Sequence, residues 1–248
     1  MSAYVNSVSD KLYLLSYSDH NLLCITSSSG QPKFLGSYTN SDDPEWLKDC
    51  HFSEHTLVHC NVPFVLCPQE SAAEAGIHFQ LSYGNQDFSV KPLDEQILLV
   101  YSAHFPSALE KRLVKPKVYL DFEILHQFKS GLSRSNAIFF SVIEEDMMIR
   151  TYSGPRIILA NRFPVKSKDD IFYFVMFAIE QLKLDISAIH FEFIGSSDHY
   201  ETYESLFRNY LPKLLHIQNF LIDSSRLSEQ QQRLLDKEWL TAVTIQCV

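Results

Sequence analysis

Short apolar runs separated by polar clusters fill the first forty positions. Residues 12–17 and 22–26 are β-forming runs parted by the turn formers Ser18, Asp19, His20 and Asn21. Gly30 and Pro32 mark a second turn before another apolar run at 33–38. Three strands joined by tight turns predict an antiparallel meander. A helix is predicted over 42–50, with Asp42 or Asp43 as N-cap and Pro44 at its first position. Extended stretches follow at 56–60 and 64–67, then a helix over 69–79 and a wholly apolar strand over 97–102. A short helix is expected over 106–113. Residues 118–120 read as a strand that passes into a helix toward Ser130.

The pattern then restarts. Strands are predicted at 137–143, 147–152 and 156–163, with Glu144-Glu145-Asp146 and Ser153-Gly154-Pro155 as turns. The clearest helix spans 168–184. Ser167 and Asp170 resemble a capping box, and Ile171, Phe174, Val175, Ala178, Ile179 and Leu182 recur at helical spacing. Phe172, Met176 and Phe177 leave it little polar surface, so it is expected to be buried on more than one side. A strand at 188–194, a helix at 199–211 and a strand at 216–222 follow. Ser228 with Gln231 caps a helix reaching about Trp239, and 241–246 reads as a last strand.

Each half thus runs strand–strand–strand–helix–strand–helix–strand–helix, and Gly30 and Gly154 occupy the same turn of the two meanders. Residue identity between the halves is poor, so the repeat is one of topology. Such a βββαβαβα order gives a mixed sheet with helices on its faces. The fold class expected is α/β, with two tandem ribonuclease-H-like halves, 1–132 and 133–248, set about a central cleft.

Composition narrows the chemistry. Seven glycines in 248 residues is under half of the usual ~7%, and phosphate-cradling loops are built from glycine. A net charge of −9 argues against a general nucleic-acid binder. Five cysteines without a CxxC spacing suggest buried thiols in a reducing cytoplasm rather than a disulfide framework. No secretory leader is read at the start, and the longest strongly apolar run, 171–179, falls far short of the roughly 18 residues that span a bilayer. The expected location is cytoplasmic, without membrane insertion.

Thr56-Leu57-Val58, then Val62-Pro63-Phe64-Val65-Leu66-Cys67-Pro68, the stretch from Phe105-Pro106 to Leu113, Ile171-Phe172-Tyr173-Phe174 through Glu180-Gln181-Leu182, and residues 188–195 carry a resemblance. Over roughly residues 10–225 the chain resembles an uncharacterised bacterial family with an actin-like ATPase fold, distantly similar to actin-like proteins of pilus assembly and cell division. The resemblance implies the fold and no established biochemical role.

Working members of that superfamily hold ATP with two hairpin turns and an adenosine loop. These need an acidic residue for Mg²⁺ and glycines that let backbone N–H groups approach phosphate. Here the first tip, Ser18–Asn21, offers Asp19 and no glycine. The second offers Glu144, Glu145 and Asp146, about three negative charges where a polyphosphate would sit. The loop after 188–194 keeps Gly195 and Ser196, while Ser197 and Asp198 read as caps of the next helix. The candidate nucleotide-binding residues are therefore Asp19, Asp146, Gly195 and Ser196, read as vestigial, with no catalytic residue and no metal site.

Other groupings are weaker. His51, His55 and His59 are spaced for a helix, with Cys50 and Cys60 adjacent, yet 56–60 reads as a strand. Asp19, Asp121, Glu123 and Asp146 as nuclease carboxylates have no selective spacing. Lys111-Arg112, Lys115 and Lys117 read as a solvated helix end. Tyr200, Tyr203 and Tyr210 on one helix suit either an interface or the sheet.

Two functions follow as expectations. One is a pseudo-ATPase that acts through protein–protein interaction, with no cofactor, an unidentified protein partner, no nucleic acid, and self-association left open. The alternative is a divergent nucleotide-binding ATPase using ATP and Mg²⁺.

Overall fold

The computed structural model describes residues 8–84, 87–102, 107–128, 136–211, 214–217 and 222–248. In chain order the elements are β1 (Lys11–Ser16), β2 (His20–Thr26), β3 (Pro32–Thr39), β4 (Glu54–His59), β5 (Phe64–Pro68), α1 (Ala75–Tyr83), β6 (Phe88–Pro92), β7 (Ile97–Ser102), β8 (Lys117–Leu120) and α2 (Asp121–Gln127). Then come β9 (Ala137–Ile143), β10 (Asp146–Ser153), β11 (Arg156–Pro164), α3 (Lys168–Gln181), β12 (His190–Ile194), α4 (Ser197–Phe207), β13 (Leu214–Ile217), α5 (Glu229–Lys237) and α6 (Trp239–Cys247).

Two five-stranded sheets share one topology. Their orders are β3-β2-β1-β4-β8 and β11-β10-β9-β12-β13. In each, the first three strands form an antiparallel meander and the last two add in parallel. This is the ribonuclease-H-like arrangement expected from the repeated element order. The glycines of the second turns correspond as well: Gly30 and Gly154 both have positive φ, 82° and 59°, which a side chain would strain.

The chain forms two compact units, and they interleave in sequence. The first comprises Met1–Asn61, His104–Phe128 and Asn219–Val248, the second Val62–Ala103 and Lys129–Gln218. A single cut between 132 and 133, which falls outside the described residues, does not separate them. The reason is packing: α5 lies on β3 and α6 on α2, so the last helices return to the first unit. Likewise β5, α1, β6 and β7 leave the first unit to build a three-stranded sheet, β5-β7-β6, within the second.

In the first unit one face of the sheet buries Leu12, Leu14, Leu23, Ile25 and Leu57 with Leu47 and Leu109. Alternate residues Tyr13, Leu15, Leu22 and Cys24 are also buried, so the central strands are covered on both sides and read as continuous apolar runs. In the second unit Ile138, Phe140, Ile149, Phe191 and Phe193 pack against Ile171, Val175 and Ala178 of α3 and Phe207 of α4. A separate small core joins Phe79 and Ala75 of α1 to Cys67, Leu98 and Val100.

Several predicted elements change identity. Residues 241–246, read as a strand from Thr241, Val243, Thr244 and Ile245, lie in α6, where Leu240, Thr241, Ala242, Val243 and Thr244 are all buried. Tertiary burial outweighs their β preference. The helix expected over 42–50 is a single 3₁₀ segment, Glu45–Asp49, preceded by Pro44. The helix at 69–79 splits into a 3₁₀ turn, Gln69–Glu74, and α1. The sequence pattern does not predict β6, a short edge strand with almost every residue exposed. Of the predicted helix 106–113 only a 3₁₀ turn, Glu110–Arg112, is seen, Pro106 lying outside the described residues. The strand predicted at 216–222 meets β13 only at 216 and 217, and 218–221 lie outside the described residues.

Candidate functional site

The first hairpin tip joins β1 to β2. Tyr17 N–H donates to the His20 carbonyl at 2.9 Å, closing a tight turn, and the Tyr17 and His20 rings stack at 4.5 Å. Ser18 and Asp19 are the exposed residues of the tip. Asp19 Oδ1 lies 2.7 Å from His20 Nδ1, and this hydrogen bond holds its carboxyl below the usual range. His20 and Asn21 belong to β2 rather than to the turn. Asn21 is fully buried and donates to Asn40 Oδ1 at 2.8 Å.

Polar groups are concentrated beneath that tip. Ser16, at the end of β1, donates to Glu110, a buried carboxylate that the sequence reading did not single out. Its only signal was an acid inside an otherwise solvated basic stretch. Leu120 pairs with His59, which pairs with Ser16, so the start of α2 emerges at the same end of the sheet. There Asp121 is fully buried and accepts from Asn61 N–H at 2.9 Å and Phe122 N–H at 2.7 Å. Glu123 accepts from Leu120 N–H. These two carboxylates secure a helix start and a loop.

The second tip joins β9 to β10. Ile143 pairs with Asp146, so the loop is only Glu144 and Glu145, and Asp146 already belongs to the strand. Glu144 has φ 55°, the left-handed geometry such a two-residue turn requires. The Glu145 carbonyl accepts from Val165 N–H at 2.7 Å. Both glutamates are exposed.

The loop after β12 leaves the same end of this sheet, since Ile194 pairs with Ser141 of β9. A Cβ on Gly195 would lie 2.4 Å from Phe193 Cζ. Phe193 is fully buried, so the missing side chain makes room for a core ring. The Gly195 carbonyl lies 3.1 Å from His216 Nε2, and His216 stacks on Tyr200 at 4.2 Å. Ser196 is the N-cap of α4, with no side-chain capping bond, and its carbonyl accepts from Tyr200 N–H at 3.1 Å. The cap thus falls one residue earlier than Ser197, whose side chain lies outside the described set. Asp198 sits in the first turn, where it suits the helix dipole. Within the second unit, then, Asp146, Gly195 and Ser196 share one end of the sheet; Asp19 belongs to the first unit.

The remaining candidates resolve into structural roles. His55 lies in β4, where Nδ1 accepts from Val114 N–H at 3.2 Å and burial pushes its pKa down. His51, His55, His59, Cys50 and Cys60 form no ligand cluster among the described residues. All five cysteines are free thiols, and burial pushes Cys24 up to about 12. Arg112 pairs with Asp43 and Lys117 with Glu54, so part of the basic cluster is spent on ion pairs. Tyr203 packs on Phe193 at 5.2 Å, while Tyr210 is exposed beside Phe172.

A row of buried charge in the second sheet also escaped the sequence reading. Arg150 and Glu192 both pair with Phe139 and are almost wholly buried. The Arg150 guanidinium lies 5.5 Å from the Phe139 ring centroid, a cation–π distance. Each falls at an alternate strand position, where a period of two puts a charge among apolar residues.

Residues 41–214 match a family described as protein of unknown function (DUF3822). The chain belongs to this family. No curated protein matches the chain in sequence. Among solved structures, it resembles a Bacteroides thetaiotaomicron protein with an actin-like ATPase fold and unknown function. That pair is 13% identical, with 98% of this chain and 97% of the other covered and a TM-score of 0.73. It also resembles PilM in the PilM–PilN type IV pilus biogenesis complex, at 13% identity, 95% and 97% coverage and a TM-score of 0.61. The family member described here therefore has the actin-like ATPase fold. No helix among its described residues is long and apolar enough to cross a membrane.

Proposed function

We propose that this chain is a non-catalytic, actin-like pseudo-ATPase of the cytoplasm that works by binding another protein, without nucleotide or metal. The observation that carries the reading is where its glycines go. Of the six described, Gly30, Gly84 and Gly154 serve turns at positive φ, and Gly36, Gly76 and Gly195 have an aromatic ring within 3 Å of where a Cβ would be. None is left over to bare a backbone amide to phosphate. The hairpin tips are consistent with this. One is closed by the Tyr17–His20 turn, with Asp19 held by its neighbour. The other presents two exposed glutamates, whose charge opposes a triphosphate. That PilM, of the same fold, is found in a complex with PilN supports protein binding as a use of this architecture.

The rival is a divergent nucleotide binder using Asp19, Asp146, Gly195 and Ser196 with Mg²⁺. Isothermal titration of the full chain with ATP and Mg²⁺ separates the two. We expect no saturable heat up to millimolar nucleotide. Micromolar binding lost in Asp19→Ala would establish the rival instead.

A further inference from the structure

Within the second unit, β5 and β11 are each the outermost strand of their sheet, and they touch. A groove of about 660 Å³ runs along their junction, closed at its sides by residues of α1 and β7. Every residue of Phe64–Pro68 lines it, and so does every residue from Arg156 to Arg162. A strand offering one face would contribute alternate positions. Consecutive ones mean that the edge itself borders the groove, with its backbone N–H and C=O groups.

At one end those groups are met internally. Tyr83 Oη donates to the Phe64 carbonyl at 3.2 Å, and Arg162 N–H donates to Asn161 Oδ1 at 2.8 Å. The open stretch is toward Arg156, where Ile158 is 40% exposed. Among the described residues the lining holds two guanidiniums, Arg156 and Arg162, and no carboxylate, in a chain of net charge −9. Asp146 is near the Arg162 end, since it pairs with Pro164, two residues on from Arg162. Arg156 is exposed and has no carboxylate partner among the described residues.

We propose that this groove binds an extended, acidic segment of a partner protein, pairing with a strand edge and placing an Asp or Glu on Arg156. A helix keeps its backbone groups to itself and could not use those edges; an extended peptide can. The positive lining selects acidic sequence and sets a salt-dependent on-rate. The inference rests on the protein-binding reading above, and supplies it with a surface and a class of partner.

The test is selection of a randomised twelve-residue peptide library, displayed on phage, against the full chain. Enriched peptides are then synthesised with a fluorescent label and measured by anisotropy. We expect enriched sequences with Asp or Glu among β-branched residues, and binding weakened at least tenfold in Arg156→Glu and when the central residue of the peptide is proline. Amide exchange should slow in 64–68 and 156–162. Arg156 is exposed, so its substitution leaves the fold intact, which circular dichroism checks. Failure to enrich any peptide, enrichment of neutral or basic ones, or unchanged affinity in Arg156→Glu overturns the groove. Peptides that bind elsewhere would sink the groove and leave the protein-binding reading standing. Saturable ATP heat would sink that reading while leaving peptide affinity measurable.

Discussion

The two five-stranded sheets are one topology written twice, and they handle buried polarity differently. In the first, polar residues at the strand ends find short hydrogen-bonded partners: Asp10 holds Lys33 at 2.7 Å, Ser16 meets Glu110, and Asn21 meets Asn40. In the second, Arg150 and Glu192 sit mid-sheet, in one row across Phe139. The apolar pattern that sets strand order is common to both, because burying a central strand on two faces demands it. The polar residues are free to diverge, since any arrangement that satisfies them is stable. Fold and chemistry are therefore separable here, and the repeat says nothing about function.

The sharpest probe of that equivalence is truncation at matching central strands. Leu14→Ala in β1 and Phe140→Ala in β9 each empty a fully buried site and should cost about 2–5 kcal/mol in urea unfolding followed by circular dichroism. Both tryptophans, Trp46 and Trp239, belong to the first unit, so their fluorescence should track Leu14→Ala. A loss under 1 kcal/mol at one site alone would show that the two sheets are not equally close-packed.

Next in size is Gly195→Ala, which puts a Cβ into the Phe193 ring. Overpacking predicts a loss of about 1–3 kcal/mol, relieved by adding Phe193→Leu. A neutral Gly195→Ala would return the glycine to the rival reading as a phosphate-facing residue.

Helix starts compare the units on a smaller scale. Asp121→Ala in α2 removes a buried acceptor of two backbone N–H groups and should cost about 1–3 kcal/mol. Ser167→Ala in α3 removes an exposed cap and should cost about 1 kcal/mol. Equal losses would mean that burial at Asp121 adds nothing.

The smallest effect is on pH. His55 in the first unit and His216 in the second both have pKa values lowered chiefly by burial. The unfolded chain then binds more protons than the folded one, so stability declines as pH falls below the unfolded histidine value of about 6.5. His216→Phe should flatten the decline. A curve unaffected by either histidine would contradict the burial argument.

The meanders, β8 running into α2, and β12 were legible as short apolar runs bounded by turn formers, and α3 by its 3.6 period. α6 was not, since Thr, Val and Ile favour strands and only tertiary burial makes them helical. β6 was missed because an exposed five-residue edge strand that ends in proline has no buried face to mark it. The hairpin turns fall where turn formers mark them, although His20, Asn21 and Asp146 belong to strands; the packing of Gly195 was hidden, because an aromatic residue two positions earlier carries no signal that its ring fills the glycine's place. The groove depends on strands ninety residues apart in the chain, and no local pattern announces it.

The interleaved course of the chain has a consequence for synthesis. Translation finishes every segment of the second unit at Gln218, while the first still lacks α5 and α6. The nascent first unit must wait for α5 to reach β3 and α6 to reach α2. The portion made first thus closes last, and a chaperone has its natural opening in that interval.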